Sequence, residues 1–356
     1  MSVAALPTQE KPRRDQIARF GVLPRRVPLA LLAAATVLGC GFFAAVGFNP
    51  YGAALLVFAL YVVGIYGASR RVEGPRKAKD RLVTAVVTSA FLLALVPLVS
   101  LLWTVVHNGW HRIDLEFFTH DMRNVLGAGG GIKHALVGTL LITAAAALIS
   151  VPIGVLAAIY LVEYGRGRLP RLITFLVDVM TGIPSIVAGL FAVALFGIFL
   201  GLGTRVGIGG SVALSVLMTP IVVRSSEEML RLVPHELREA AYALGVPKWR
   251  TIVKVVLPTA VAGIVTGITL AIARVVGETA PLLVIAGFSD STNSNLFGGR
   301  MMTLPVFAYY QYTNPETPRQ ASFDRAWSAA LALIVVVLLL NVIARLISRF
   351  FAPKTR

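Results

Sequence analysis

Eight stretches of this chain are apolar for long enough to cross a lipid bilayer. They lie at about 29–48, 51–68, 82–106, 135–162, 172–200, 208–224, 258–288 and 326–350. A helix needs roughly 20 apolar residues to span the hydrocarbon. Each stretch is predicted to be helical, because an open strand edge leaves amides unsatisfied in lipid. Only Phe48-Asn49-Pro50-Tyr51 separates the first two, which predicts a tight helical hairpin. The polar remainder sets the boundaries: a basic tail over 1–28, a two-helix hairpin and basic linker over 29–81, the remaining six spans over 82–350, and a short tail over 351–356. The first 28 residues are too long and too broken by Pro12, Pro24 and Pro28 to read as the start of a cleavable signal.

Composition agrees. Of the 356 residues, 56% are hydrophobic and 14% charged, where a soluble domain carries about 25% charged residues. Mean hydropathy is +0.78. This excludes a soluble enzyme and predicts an all-α integral membrane protein, a polytopic helical bundle.

The formal charge of +16 could suggest a nucleic-acid partner, but its placement excludes one. Residues 1–28, 69–81, 163–171, 224–257 and 345–356 together carry 25 Lys or Arg. The alternate connections, 107–134, 200–210 and 288–325, carry 7. Cytoplasmic loops collect Lys and Arg, so the pattern predicts eight spans with both termini in the cytoplasm. Arg274 is left inside a span. The basic linker is expected to attract anionic lipid headgroups.

Much chemistry is missing. No G-x-x-x-x-G-K-[ST] run is present, so the chain has no P-loop for ATP. H-E-x-x-H and G-x-S-x-G are also absent. Cys40 is the single cysteine and forms no intramolecular disulfide. His107 and His111 stand four apart at the end of a span, where a solvated surface is the better reading than a metal site. The glycines 127 and 129–131, with Ala128 among them, read as a flexible loop, and Trp103 and Trp110 suit the headgroup belt. No bond-making catalysis and no metal are expected, so function must come from the membrane path and from partners.

The most specific segment is the loop 225–257. Pro234 suits the start of a short helix. Glu236 suits its first turn. Gly245 suits a left-handed end, and Pro247 blocks continuation. A helix of about three turns, a sharp turn and a second helix through Trp249 and Val256 are predicted. The small residues Ala240 and Ala241 beside Glu239 leave a face that another protein can approach.

Two membrane segments carry further signals. Gly182 and Pro184 fall near the middle of the fifth span and predict a weakened or kinked helix, either a packing kink or a cavity lining. In the seventh span Arg274 and Glu278 are four apart, hence on one helix face if that helix is continuous. Buried charges cost about 2.5–3.5 kcal/mol each on insertion scales. The pair is therefore either a structural ion pair or the lining of an anion path. A guanidinium fork matches phosphate oxygens. A carboxylate beside it can accept the P–OH of a protonated phosphate but repels fully ionised sulfate. Ser185 and Thr279 join Arg274 and Glu278 as candidate path residues.

The run Glu239-Ala240-Ala241, then Gly245, Val255 and Leu257-Pro258, resembles the EAA loop of ABC-importer permeases, with Val255 where the family usually has Ile. The resemblance implies that Glu239, Ala240, Ala241 and Gly245 dock into an ATPase subunit. Three further runs, Gly182–Phe191, Arg274–Leu282 and Met302–Val306, are similar to the PstA-type permeases of bacterial phosphate-specific ABC importers, over about 82–350. This implies a type I fold with a six-span core, here preceded by two extra spans. It also implies a PstC-like second permease, a homodimeric PstB-like ATPase holding ATP and Mg, a PstS-like binding protein, and phosphate as substrate. No cofactor is implied on this chain. Two other readings stay open: an ABC permease for another oxyanion or polar solute, and an integral-membrane scaffold or enzyme without ATPase coupling.

Overall fold

The structure is a computed structural model that describes residues 21–24, 26–47 and 49–351. The expected tail over 1–28 lies largely outside these residues, as does the end of the tail over 351–356. Every regular element among the described residues is helical. Among the described residues seven helices are long and apolar enough to cross a membrane, or eight spans if one bent pair counts as a single span. The chain divides into two compact units, 1–102 and 103–356.

The first unit holds α1 (Val27–Val46), α2 (Pro50–Val72) and most of α3 (Pro75–Gly109). The predicted hairpin forms as its sequence dictates. The Asn49 side chain caps α2 by accepting from the amides of Tyr51 and Gly52, and Pro50 fills the first position, where no donor is needed. Gly39 lets the two helices touch: a Cβ there would lie 2.5 Å from Val57 Cγ2. Between α2 and α3 the chain turns through Gly74, whose φ is +89°. The buried Glu73 carboxylate clips this turn. It accepts from Arg81 Nε at 2.6 Å and Nη2 at 2.9 Å, Ser69 Oγ at 2.8 Å and the Leu23 amide at 2.9 Å. The Arg81 hydrogen bonds, then the Leu23 amide, hold its carboxyl down at about 2.

The second unit begins within α3. It continues through α4 (Leu115–Thr119), α5 (Lys133–Ile159), α6 (Arg168–Thr181), α7 (Ser185–Leu200), α8 (Gly207–Arg231) and α9 (His235–Ala243). Then follow α10 (Lys248–Thr251), α11 (Leu257–Val276), α12 (Ala280–Ile285), α13 (Leu304–Thr313) and α14 (Arg319–Phe351). π-helical turns at Tyr160–Tyr164 and Ile252–Val256 extend α5 and join α10 to α11. The core lies where α5, α8, α11 and α14 pack with the segment 301–307. Small residues permit that approach. A Cβ on Gly154 would sit 2.7 Å from Val222 Cγ1. A Cβ on Gly138 would sit 2.0 Å from the Met302 carbonyl oxygen. The Thr139 hydroxyl accepts the Leu304 amide at 2.8 Å, which pins the same segment.

Two expected spans are not single helices. The fifth is bent by 108° between α6 and α7, well beyond a kink. Pro184 has no N–H, and its ring excludes a helical carbonyl four residues back. The seventh, expected over 258–288, ends at Val276 and restarts at Ala280. Pro281 favours the break, since it has no N–H to offer the Gly277 carbonyl and its ring crowds that oxygen. The glycine loop is also not free. Its Gly127 and Gly129 carbonyls accept from Arg325 Nη1 at 2.7 and 3.2 Å, and the Gly130 carbonyl accepts from Arg112 Nη2 at 3.0 Å.

Asp121 ties two connecting segments together, accepting from the amide and hydroxyl of Thr292 at 3.1 Å each. Burial pushes its carboxyl up, but hydrogen bonds from Thr292 and the Arg123 amide outweigh this and hold it below the usual range.

Candidate functional site

The segment 232–256 builds one candidate site. Helix α9 starts after Pro234 with Glu236 in its first turn. It closes in the expected left-handed turn: Gly245 has φ +73°, its amide reaches the Tyr242 carbonyl at 2.9 Å, and the Val246 amide reaches Ala241 at 3.1 Å. Those two bonds satisfy carbonyls that the helix end would otherwise orphan. Pro247 then caps α10. Glu239, Ala240 and Gly245 are exposed. Ala241 is not: it is buried and packs inward, so of the two alanines only Ala240 belongs to the outer face. That face also presents apolar surface. Leu244 is 83% exposed, and Leu237, Tyr242 and Trp249 are exposed with it.

The inner face of α9 is held by charge. Arg238 is buried and donates from Nε and Nη2 to Glu163 Oε1, at 3.0 and 2.8 Å. Its remaining donors reach the carbonyls of Val233 at 2.6 Å and Leu230 at 3.0 Å. The Lys248 ammonium bonds the Glu163 carbonyl and lies 4.9 Å from the Tyr164 ring centre. Beside these, Arg224 pairs with Asp178 of α6 and with Glu227, and Glu227 also pairs with Arg231 at 2.7 Å.

The second candidate site surrounds the two helix breaks. Gly189 abuts Pro281: a Cβ there would lie 2.6 Å from the Pro281 Cα. Further along, Ala192, Val193 and Phe196 pack with Ile285. Helices α7 and α12 therefore run side by side in the same sense. Ser185 opens one and Thr279 caps the other, so both lie at the same end with Glu278. The expectation that Arg274 and Glu278 share a helix face does not hold. Arg274 is in the last turn of α11, while Glu278 lies beyond its end, with its amide on the Val275 carbonyl at 3.2 Å. The two do not form an ion pair. Arg274 is exposed and Glu278 partly buried, and neither side chain bonds another described residue of the chain.

Residues 150–356 match the family of binding-protein-dependent transport system inner membrane components. The phosphate transport system permease protein PstA 1 of Mycobacterium tuberculosis is 51% identical over 284 residues, 79% of this chain and 92% of that protein. PstA of Mycobacterium leprae is 47% identical over 80% of this chain and 93% of its own length. PstA of Yersinia pestis is 39% identical over 80% and 94%. The chain belongs to the PstA family of transport permeases. A crystal structure of a bacterial alginate ABC transporter with its periplasmic protein shares the fold, at TM-score 0.55 and 15% identity over 78% of this chain and 97% of that one. The permease is thus a membrane component of a transport system and not itself an enzyme.

Sequence reasoning about this permease missed Glu163 and Arg238, which lie 75 residues apart. One signal was available: Arg238 stands three residues before Ala241, on the face of α9 that turns inward. It also missed Arg325, buried in the first turns of α14 and bonded to Gln311 Oε1 at 3.1 Å as well as to the glycine loop. His107 and His111 meet edge to face at 6.4 Å, with Trp103 stacked on His107.

Proposed function

We propose that this permease subunit imports inorganic phosphate across the bacterial inner membrane, driven by ATP hydrolysed on a partner. It forms half of the translocation path with a PstC-like second permease. A PstS-like binding protein delivers phosphate, and a homodimeric PstB-like ATPase carries the ATP and Mg. The names of the relatives support the substrate, and the basic connections support cytoplasmic termini. The exposed Leu244, Tyr242 and Glu239 side chains form the ATPase docking face. The two helices ahead of the six-span core act as an accessory hairpin, with exposed Arg70, Arg71, Arg76, Lys77 and Lys79 meeting anionic lipid headgroups.

One observation carries this reading: Arg274 is a guanidinium inside an apolar span with no side-chain partner among the described residues. Such a charge calls for a water-filled path, an ion or another subunit. The adjacent break leaves Glu278 and Thr279 outside any helical turn, as in transporters that bind ions at interrupted helices. Glu278 accepts a hydrogen bond from the P–OH of phosphate, and Arg274 donates to its charged oxygens.

The test is uptake by the assembled transporter in proteoliposomes. Arg274→Gln abolishes phosphate uptake. Glu278→Gln narrows the preference for phosphate over sulfate. Unchanged selectivity in Glu278→Gln together with full uptake in Arg274→Gln refutes the path.

A further inference from the structure

We infer that the buried Arg238–Glu163 pair is the joint through which α9 moves α5, a helix to which it has no direct chain connection. The inference rests on the proposed docking of α9 to an ATPase. By covalent connection α9 can pull only on α8 before it and on α10 and α11 after it. Helix α5 is reached only across space. The contact is dense: two hydrogen bonds from Arg238 to one carboxylate oxygen, and the Lys248 ammonium on the carbonyl of the same Glu163.

The same guanidinium collects the last carbonyls before α9, at Leu230 and Val233. Arg238 therefore binds three helix ends at once. Beneath it lies a small apolar cluster of Ala158, Leu230, Val233, Val256, Ala260 and Ile264, contributed by the ends of α5, α8 and α11. Both members of the pair are nearly sealed from solvent, with side chains 9% and 5% exposed. Pulling α9 away alone would strand two buried charges, and removing one partner of such a pair is strongly unfavourable. Displacing all three helix ends together keeps every bond.

The local backbone fits such a joint. Glu163 lies within the π-helical turn Tyr160–Tyr164, and the helix entering from α10 carries a second π turn at Ile252–Val256. Val256 of that second turn packs in the same apolar cluster. π turns are rare and are found mostly as single insertions at functional positions. Two of them flank the one small helix that docking would push.

The experiment uses Glu163→Gln in the fully assembled transporter. Glutamine keeps the size and the acceptor oxygen but removes the charge. ATP hydrolysis continues, and phosphate taken up per ATP hydrolysed falls at least tenfold. A merely structural clip would lower assembly, hydrolysis and uptake together and leave that ratio unchanged, which overturns the inference. A second measurement needs no variant. In the wild-type complex, trapping ATP changes amide-exchange protection over 158–164 in step with 235–243. Protection that changes at 235–243 but not at 158–164 also overturns it. Leu244→Glu tests the underlying reading separately. If it keeps the ATPase bound and uptake intact, docking by α9 fails; if only the Glu163→Gln ratio stays normal, the joint fails while docking stands.

Discussion

Gly245 offers a test in which sterics and backbone conformation separate. Its φ of +73° lies in the left-handed region, yet a Cβ built on it meets no atom within 4 Å. Gly245→Ala therefore meets no contact within the chain and costs only conformational strain, about 1–2 kcal/mol for an L-residue held left-handed. If α9 must end in its observed double-bonded turn to dock, that strain appears in the affinity of the ATPase for the permease pair. Every 1.4 kcal/mol is tenfold, so Kd weakens roughly 5–30-fold. Gly245→Asn is the control, since asparagine adopts this conformation more readily, and it recovers most of the affinity. Biolayer interferometry on the permease pair in nanodiscs, with purified ATPase as analyte, reads both. Wild-type affinity in Gly245→Ala, or equal losses in the Ala and Asn variants, refutes the argument from φ.

Two other outcomes bear on the fold. Gly138→Ala drives a Cβ against the backbone carbonyl of Met302, which cannot rotate away, so the loss follows the overpacking range of about 1–3 kcal/mol. The thermal midpoint in detergent falls by roughly 5 °C, whereas Gly41→Ala, with nothing within 4 Å, leaves it unchanged. In the first unit, Glu73 has a carboxyl lowered from 4.5 to about 2. A depressed acid contributes stability fully above its unfolded value and loses it as pH falls through the folded one. The stability advantage of wild type over Glu73→Gln is thus constant above about pH 5 and shrinks between about 4.5 and 2 in acid unfolding followed by circular dichroism.

The positions of the spans were legible because bilayer thickness imposes a length that composition alone can meet. The turn at Gly245 was legible for a similar reason: proline and glycine act locally, and Pro234, Gly245 and Pro247 all lie within 14 residues. Where the helices break was less legible. Hydropathy averaged along 258–288 does not register that Pro281 lacks a donor, although the same rule already marked Pro184. The charge pairs were not legible at all. Arg238 meets Glu163 across 75 residues, and Arg325 meets Gly127 across 198. A glycine-rich stretch reads as loose until the guanidinium that holds its carbonyls is found.

Arg274 gains meaning from the treatment of the guanidinium groups that are buried. Arg238 has a carboxylate and three carbonyls as acceptors, and Arg325 has two carbonyls, an amide oxygen and a hydroxyl. This chain thus builds full sets of acceptors where it encloses such a group. Among the described residues it builds none for Arg274, which lies in the last turn of α11 on an exposed face, immediately before a helix break where Glu278 also has no described side-chain partner. An ionised side chain at the centre of a span costs about 2.5–3.5 kcal/mol on insertion scales. No side chain among the described residues offsets such a cost for Arg274. On the proposed function, the face carrying Arg274 lies against a second subunit and the water it encloses. On that reading the unfilled donors of the guanidinium stay free for a passing anion and are not consumed by the fold.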